Sequence, residues 1–81
     1  MDKRYLNGIR PLLEQQHGTG SADRILSEAW ERYAQICAEN INEPKEVRAH
    51  TRKQIYPACA AFEAMLKNGI SREETAAFLT L

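Results

Sequence analysis

The sequence predicts a small all-α protein, a four-helix orthogonal or bundle-like domain without a sheet. Apolar residues recur along most of the chain with the 3.6-residue period of amphipathic helices. Glycine, proline and serine interrupt that period at three places, which divides the pattern into four helices. The chain has 81 residues, a length that forms one domain. We expect the helices near residues 3–17, 21–40, 44–68 and 72–80.

The first predicted helix carries a glycine and a proline on the face opposite its apolar residues. The apolar residues share one arc of the helical wheel: Tyr5, Leu6, Ile9, Leu12 and Leu13. Because that arc continues past Pro11, we expect a kinked helix with Pro11 facing solvent, and a helix that starts at Pro11 is the alternative. Gly18 or Gly20 is expected to take the left-handed conformation that follows a helix end.

The second predicted helix has the most regular apolar face in the chain, and Ser21 is its expected N-cap. The face contains Ala22, Ile25, Leu26, Ala29, Trp30, Tyr33, Ile36 and Cys37. Polar and charged residues occupy the other side, where Glu28 and Arg32 have the favourable acid-first spacing of four. The pattern therefore predicts one face packed on the core and one in solvent.

The third predicted helix begins at Pro44, with Asn42 or Glu43 as its N-cap. Its core-facing stripe is expected to contain Val47, Thr51, Ile55, Ala58, Cys59, Phe62, Met65 and Leu66. Pro57 lies within this stretch, and we expect it to bend the helix around the core.

A glycine and a capping motif separate the third helix from the fourth. Gly69 and Ile70 predict a Schellman motif, and Ser71 and Glu74 have the S-x-x-E spacing of a capping box. The fourth helix has about two turns and no C-terminal stop signal, so it is expected to be truncated or to dock on a partner. The four helices together predict a core of Leu6, Ile9, Leu13, Ile25, Leu26, Trp30, Tyr33, Ile55, Phe62 and Leu66.

Charge and hydropathy argue against nucleic-acid and membrane partners. Eleven Lys and Arg residues balance eleven Asp and Glu residues, so no net charge attracts a polyanion. The junction at 68–71 resembles the turn of a helix-turn-helix, but Glu73 and Glu74 would then face phosphates. No apolar run approaches the roughly 20 residues that span a bilayer. With no secretory signal visible, we expect a cytoplasmic protein.

The two cysteines do not predict a metal site or a cofactor. Cys37 and Cys59 match no zinc-ligand spacing, and His17 and His50 form no H-x-x-x-H pair. Because no export signal is present, we expect two reduced, buried and inert thiols. A disulfide, or a thiol activated as a nucleophile, is the alternative.

A basic group near the start of the third helix is the candidate anion-binding site. Lys45, Arg48 and Arg52 gather there with Tyr56, close to the positive end of the helix dipole. Arg48 lies beside the predicted apolar stripe, where it is able to bind a carboxylate. The alternative is an arginine whose stem covers core surface while its head reaches water.

Three segments of the chain share residues with a known family. They are Ile25-Leu26 with Trp30-x-x-Tyr33, residues 49–58 (AHTRKQIYPA), and residues 62–76 (FEAMLKNGISREETA). In these segments the chain resembles the N-terminal helical portion of the L-2-amino-thiazoline-4-carboxylic acid hydrolase family. The I-x-P-A segment and the L-x-x-G-x-S-x-E-E-A-like junction, in which Thr75 precedes Ala76, are the most specific features. The resemblance implies hydrolysis of a cyclic C–N bond on the way to L-cysteine.

The resemblance covers only the front part of such a protein, and no catalytic residue of the family matches a position here. We therefore expect this chain alone to be an inactive scaffold or oligomerisation segment, and a stand-alone helical interaction module is the alternative. A long reading frame after Leu81 favours the first, and a stop codon favours the second. In both cases we expect self-association, at least as a dimer. It would use the fourth helix, with Phe78, Leu79 and Leu81, and a strip of Ala49, Tyr56 and Ala60.

Overall fold

Helices make up the secondary structure in a computed structural model of the protein, which describes residues 4–80. They are α1 (Arg4–His17), α2 (Thr19–Glu39), α3 (Lys45–His50), α4 (Tyr56–Lys67) and α5 (Arg72–Leu79). A π-helical turn, Thr51–Ile55, joins α3 to α4 without leaving the right-handed helical backbone conformation. No strand occurs among the described residues. The all-α prediction is therefore confirmed. α3, the π turn and α4 follow one another directly and together form the long helix predicted near 44–68.

A single glycine separates α1 from α2. Gly18 has φ +86°, its N–H donates to the Glu14 carbonyl at 2.9 Å, and its carbonyl accepts from the Ala22 N–H at 3.0 Å. α2 therefore begins before Ser21, and the prediction that Ser21 caps this helix is wrong. Pro11 is exposed within α1, and the helix continues through it as predicted.

The core is built around α2, which packs most extensively against α4 and next against α1. Five alanines of α2 and α4 are buried in this core: Ala22, Ala29, Ala60, Ala61 and Ala64. Short side chains at such a contact let two helix axes approach closely. Larger side chains complete the core: Leu6, Leu13, Ile25, Leu26, Tyr33, Ile36, Met65 and Phe78. The predicted core residues Ile9 and Trp30 are half-buried and pack against it.

α4 presents a different face to the core from the one predicted. Its buried residues are Pro57, Ala60, Ala61, Ala64 and Met65. Of the predicted core residues, Ile55 is 41% exposed, and Phe62 and Leu66 are only half-buried. Val47 and Cys59, from the predicted stripe, are also exposed.

The π turn causes this rotation. The Tyr56 N–H donates to the carbonyl of Thr51, five residues earlier, so the turn contains one residue more than a regular turn. One extra residue rotates the following segment by about 100° relative to a regular helix. With a regular period, the side of the helix that carries the half-buried Arg48 would have continued onto Phe62 and Leu66. After the π turn, the same side continues onto the buried alanines of α4.

The carbonyl of Arg52 loses its usual donor within the helix, and α2 supplies another. Its α-helical donor would be the Tyr56 N–H, which bonds to Thr51 instead, and residue 57 is proline, which has no N–H. The hydroxyl of Tyr33 on α2 donates to this carbonyl at 2.9 Å. The hydrogen bond satisfies the backbone group that the π turn leaves open and fixes the turn against α2.

A complete Schellman motif ends α4, as predicted. The Ile70 N–H donates to the Met65 carbonyl at 3.1 Å, and the Gly69 N–H donates to the Leu66 carbonyl at 3.0 Å. Gly69 has φ +86°, a conformation that other residues rarely adopt. Ile70 packs against the core, which supplies the apolar contact expected of this motif.

α5 docks on the core of its own chain. The Ser71 hydroxyl accepts from the Glu74 N–H at 3.1 Å, which confirms the N-cap prediction. Thr75 and Phe78 are buried. Phe78, one of the residues expected at a dimer interface, is therefore buried against its own chain, and self-association through this helix stays a prediction. Leu81 lies outside the described residues.

Replacing Tyr33 with phenylalanine is expected to reduce the free energy of unfolding by about 1–3 kcal/mol, because the Arg52 carbonyl loses the donor that α2 supplies. Urea denaturation measures the change. Tyr5→Phe is the matched control, since the Tyr5 hydroxyl makes no hydrogen bond within residues 4–80, and we expect it to alter stability little.

A double-mutant cycle tests whether the π turn creates this requirement. Pro57→Ala restores a backbone N–H and allows regular α-helical bonding of the turn. In that background the cost of Tyr33→Phe should fall by about 1 kcal/mol. Equal costs of Tyr33→Phe in the two backgrounds would contradict the role assigned to Tyr33.

Candidate functional site

Glu43 ties the loop between α2 and α3 to the π turn. The Thr51 hydroxyl donates to one of its carboxylate oxygens at 2.7 Å, and the Tyr56 hydroxyl donates to the other. We call Glu43, Thr51 and Tyr56 the loop latch. It joins a loop residue to both ends of the π turn.

The side chain of Arg48 bonds to the backbone of the same loop. Its Nη2 donates to the carbonyls of Ile41 at 3.2 Å and Glu43 at 2.9 Å. α3 begins directly after Pro44, which is its N-cap and makes no side-chain cap bond. The prediction of a cap at Asn42 or Glu43 is therefore wrong, because the Glu43 carboxylate bonds to the π turn instead.

The latch shifts the pKa values of both acids that form it. The hydrogen bond from Tyr56, followed by that from Thr51, lowers the pKa of Glu43 below its ordinary value of 4.5, and the charges of Arg52 and Arg48 add to the effect. The same hydrogen bond, together with burial, raises the pKa of Tyr56 above its ordinary value of 10.0. The charged carboxylate and the neutral phenol therefore favour each other across the intervening pH range.

The predicted anion-binding residues divide between two places. Tyr56 belongs to the loop latch, where its partner is the carboxylate of Glu43. Lys45, Arg48 and Arg52 line a separate open groove of about 590 Å³. We call this the basic groove, and its lining residues are Tyr33, Cys37, Lys45, Arg48, Ala49, Arg52 and Lys53.

Lys53 is the groove residue that the sequence did not reveal as part of the site. On a regular helical wheel Lys53 lies about 140° from Arg48 but only about 40° from Ala49, which also lines the groove. The i, i+4 spacing of Ala49 and Lys53 was therefore the signal that could have found this residue.

The cations of the basic groove have no carboxylate partners within residues 4–80. No acidic side chain lines the groove, and none of its four cations forms an ion pair there. The Nε atoms of Arg48 and Arg52 are buried without a hydrogen-bond partner. Elsewhere on α2, by contrast, Arg32 bonds to Glu63 at 2.6 Å and to Glu39 at 3.3 Å.

A second groove of about 580 Å³ lies between α4 and α5. We call it the apolar groove, and its lining residues are Ala58, Cys59, Phe62, Glu63, Leu66, Arg72 and Leu79. The guanidinium carbon of Arg72 lies 5.9 Å from the centre of the Phe62 ring, within the range of a cation–π contact. The groove shares no lining residue with the basic groove.

The two cysteines differ in exposure. Both thiols are free, Cys37 is half-buried and Cys59 is exposed. The prediction of two buried thiols is therefore wrong for Cys59. The π turn rotates α4 so that this residue faces outward, where it lines the apolar groove.

Metal-binding side chains do not converge within residues 4–80. No group of three or more His, Cys, Asp or Glu residues there is arranged to hold a metal ion. His17 closes α1 and His50 closes α3. Over the same part of the chain, no helix has the length and apolar character that crossing a bilayer demands.

Glu43→Gln is expected to lower the midpoint of thermal unfolding near pH 7, and the difference from the unmodified protein should shrink as the pH falls below 4.5. The pKa of Glu43 is lower in the folded protein, so its stabilisation is complete above the unfolded value of 4.5 and is lost as the pH falls through the folded value. Glu46→Gln is the control, because exposed Glu46 forms no ion pair within residues 4–80. A difference from the unmodified protein that stays constant with pH would contradict the latch.

Cys59 is expected to react with an aromatic disulfide reagent in the folded protein at least about tenfold faster than Cys37, because access limits thiol reactions. Stopped-flow absorbance at low protein concentration measures the two phases. Cys59→Ser should remove the fast phase, and Cys37→Ser should leave it intact. A fast phase that survives in Cys59→Ser would contradict the outward placement.

Comparison with known proteins adds no family assignment. No protein-family model matches the sequence. No curated protein and no solved structure gives a significant match either. The resemblance to the hydrolase family therefore stays a prediction.

Proposed function

We propose that this chain is a helical association domain that pairs with a second copy of itself through the apolar groove. The observation that carries the proposal is the rotation of α4, which buries alanines and leaves Cys59, Phe62 and Leu66 on the outer side. Contiguous apolar side chains that face solvent mark interaction surfaces. Because the core does not use these side chains fully, a partner gains by covering them.

The charges in the apolar groove suit a two-fold dimer. Glu63 and Arg72 both line the groove, and Arg72 forms no ion pair within residues 4–80. A two-fold axis brings the same patch of each copy together, so a contact from one residue to another occurs twice. In such a dimer Arg72 of each copy is free to pair with Glu63 of the other, whose carboxylate also bonds to Arg32 of its own chain.

The proposed surface replaces the strip expected from the sequence. Ala60 is buried against α2, and Tyr56 is half-buried in the loop latch, so only Ala49 of that strip is exposed. The fourth predicted helix still contributes, because Leu79 of α5 lines the groove. Self-association is therefore assigned to α4 and α5 together.

The resemblance to the hydrolase family supports a scaffold role for such a dimer. In a protein of that kind this domain would hold subunits together, and hydrolysis of the cyclic C–N bond would occur in another part of the protein. A stand-alone interaction module would use the same groove. No catalytic residue is assigned to this chain under either form of the proposal.

Sedimentation equilibrium at micromolar concentration is expected to show a monomer–dimer equilibrium. Phe62→Glu should raise the dissociation constant about thirtyfold, equivalent to roughly 2 kcal/mol, because it places a charge in the apolar contact. The matched control is Leu12→Glu, since Leu12 is 37% exposed on α1 and lies outside the groove. Circular dichroism verifies that each variant stays helical.

A charge-reversal experiment at Arg72 provides a second test. Arg72→Glu should weaken the dimer more than Arg72→Ala does, because both variants lose the cation–π contact with Phe62 and only the first places a negative charge opposite Glu63. The proposal fails if the unmodified protein stays monomeric up to about 100 µM, since a dissociation constant above that value is too weak for a stable dimer. Equal effects of Phe62→Glu and Leu12→Glu would also overturn it.

A further inference from the structure

The basic groove concentrates positive charge in a protein whose overall charge is balanced. Eleven basic and eleven acidic residues give the chain no net charge, yet four cations and no acid line this groove. The charge of Glu43 interacts with Arg48 and Arg52, but its two carboxylate oxygens accept from Thr51 and Tyr56, and Glu43 does not line the groove. Like charges held together repel one another, so the groove becomes more favourable when an anion occupies it.

The hydrogen-bond donors of the groove are also incompletely used. Arg48 donates to two loop carbonyls through Nη2, but its Nε is buried without an acceptor. The guanidinium of Arg52 makes no hydrogen bond within residues 4–80, and its Nε is buried as well. An oxyanion in the groove does not reach these buried Nε atoms. The Nη atoms of Arg52 are not buried and have no acceptor within residues 4–80, so they are free to donate to a bound oxyanion.

We propose that the basic groove binds a small phosphorylated organic molecule. The residues that line the groove favour this class of anion for three reasons. A phosphate monoester carries a charge of about −1.5 to −2 at pH 7, so it balances the four cations better than a single carboxylate does. Its oxygens match the planar donors of arginine. The ring of Tyr33 and the side chains of Cys37 and Ala49 offer a less polar wall to the carbon part of the ligand.

The size and position of the groove fit this assignment. Its volume of about 590 Å³ lies in the range of small-molecule sites. It shares no residue with the apolar groove, so phosphate binding does not depend on the proposed dimer. The Tyr33 hydroxyl bonds to the Arg52 carbonyl, which links the wall of the groove to the backbone that carries its cations.

Isothermal titration calorimetry at low salt tests the proposal with three probes: inorganic phosphate, phenyl phosphate and benzoate. We expect phenyl phosphate to bind more tightly than inorganic phosphate, and about tenfold more tightly than benzoate, because the dianion and the aromatic ring both contribute. Arg52→Gln and Lys53→Gln should each weaken phenyl phosphate binding about tenfold. Lys67→Gln is the matched control, because Lys67 is an exposed cation outside the groove.

Thermal unfolding of each variant without ligand verifies that it remains folded, and an increase of the midpoint with phenyl phosphate provides a second readout. The proposal is wrong if neither phosphate binds at about 10 mM, a concentration that detects even millimolar affinity. It is also wrong if Lys67→Gln weakens binding as much as Arg52→Gln does, which would indicate unspecific attraction. Benzoate binding as tight as that of phenyl phosphate would assign the groove to carboxylates instead.

Discussion

The hydrogen bond from the Tyr33 hydroxyl to the Arg52 carbonyl is the interaction on which the arrangement of this fold depends. Pro57 supplies no N–H, and the Tyr56 N–H bonds to Thr51, so the helix itself does not satisfy that carbonyl. An unsatisfied backbone group against a neighbouring helix is costly. The buried tyrosine of α2 removes this cost and thereby allows a π turn to persist inside a continuous helix.

The π turn distributes side chains between the core and the two grooves. It turns the alanine face of α4 toward α2, which permits close packing, and it leaves Phe62 and Leu66 facing outward. Arg52 and Lys53, which lie within the turn, line the basic groove. The loop latch then holds the turn from the other side through Glu43. The turn therefore contributes two cations to one candidate binding surface and leaves the apolar side chains of the other outside the core.

The sequence predicted the structure correctly at positions where a short local motif determines it. Gly69 ends α4 and Ser71 caps α5 as predicted, because a Schellman motif and an N-cap depend only on neighbouring residues. The core-facing side of α4 was not predictable in the same way. A helical wheel assumes 100° per residue throughout, whereas the donor to the Arg52 carbonyl in the π turn comes from Tyr33, a residue on another helix. The basic groove was found in part, through Lys45, Arg48 and Arg52, because these three cations lie within about 60° of one another on a regular helical wheel.

The rotation of α4 links stability to binding. Full burial of a side chain such as Phe62 or Leu66 contributes about 1.5–3 kcal/mol to the free energy of unfolding. Because both side chains are only half-buried, the domain gains only part of this stabilisation. A domain of this size is expected to have a small free energy of unfolding. A partner that covers the apolar groove recovers the remaining part of this stabilisation. Under the two proposals each ligand would bind the folded state, so occupancy of either groove would raise the free energy of unfolding. The π turn matters to both, because it leaves Phe62 and Leu66 outside the core and contains Arg52 and Lys53 of the basic groove.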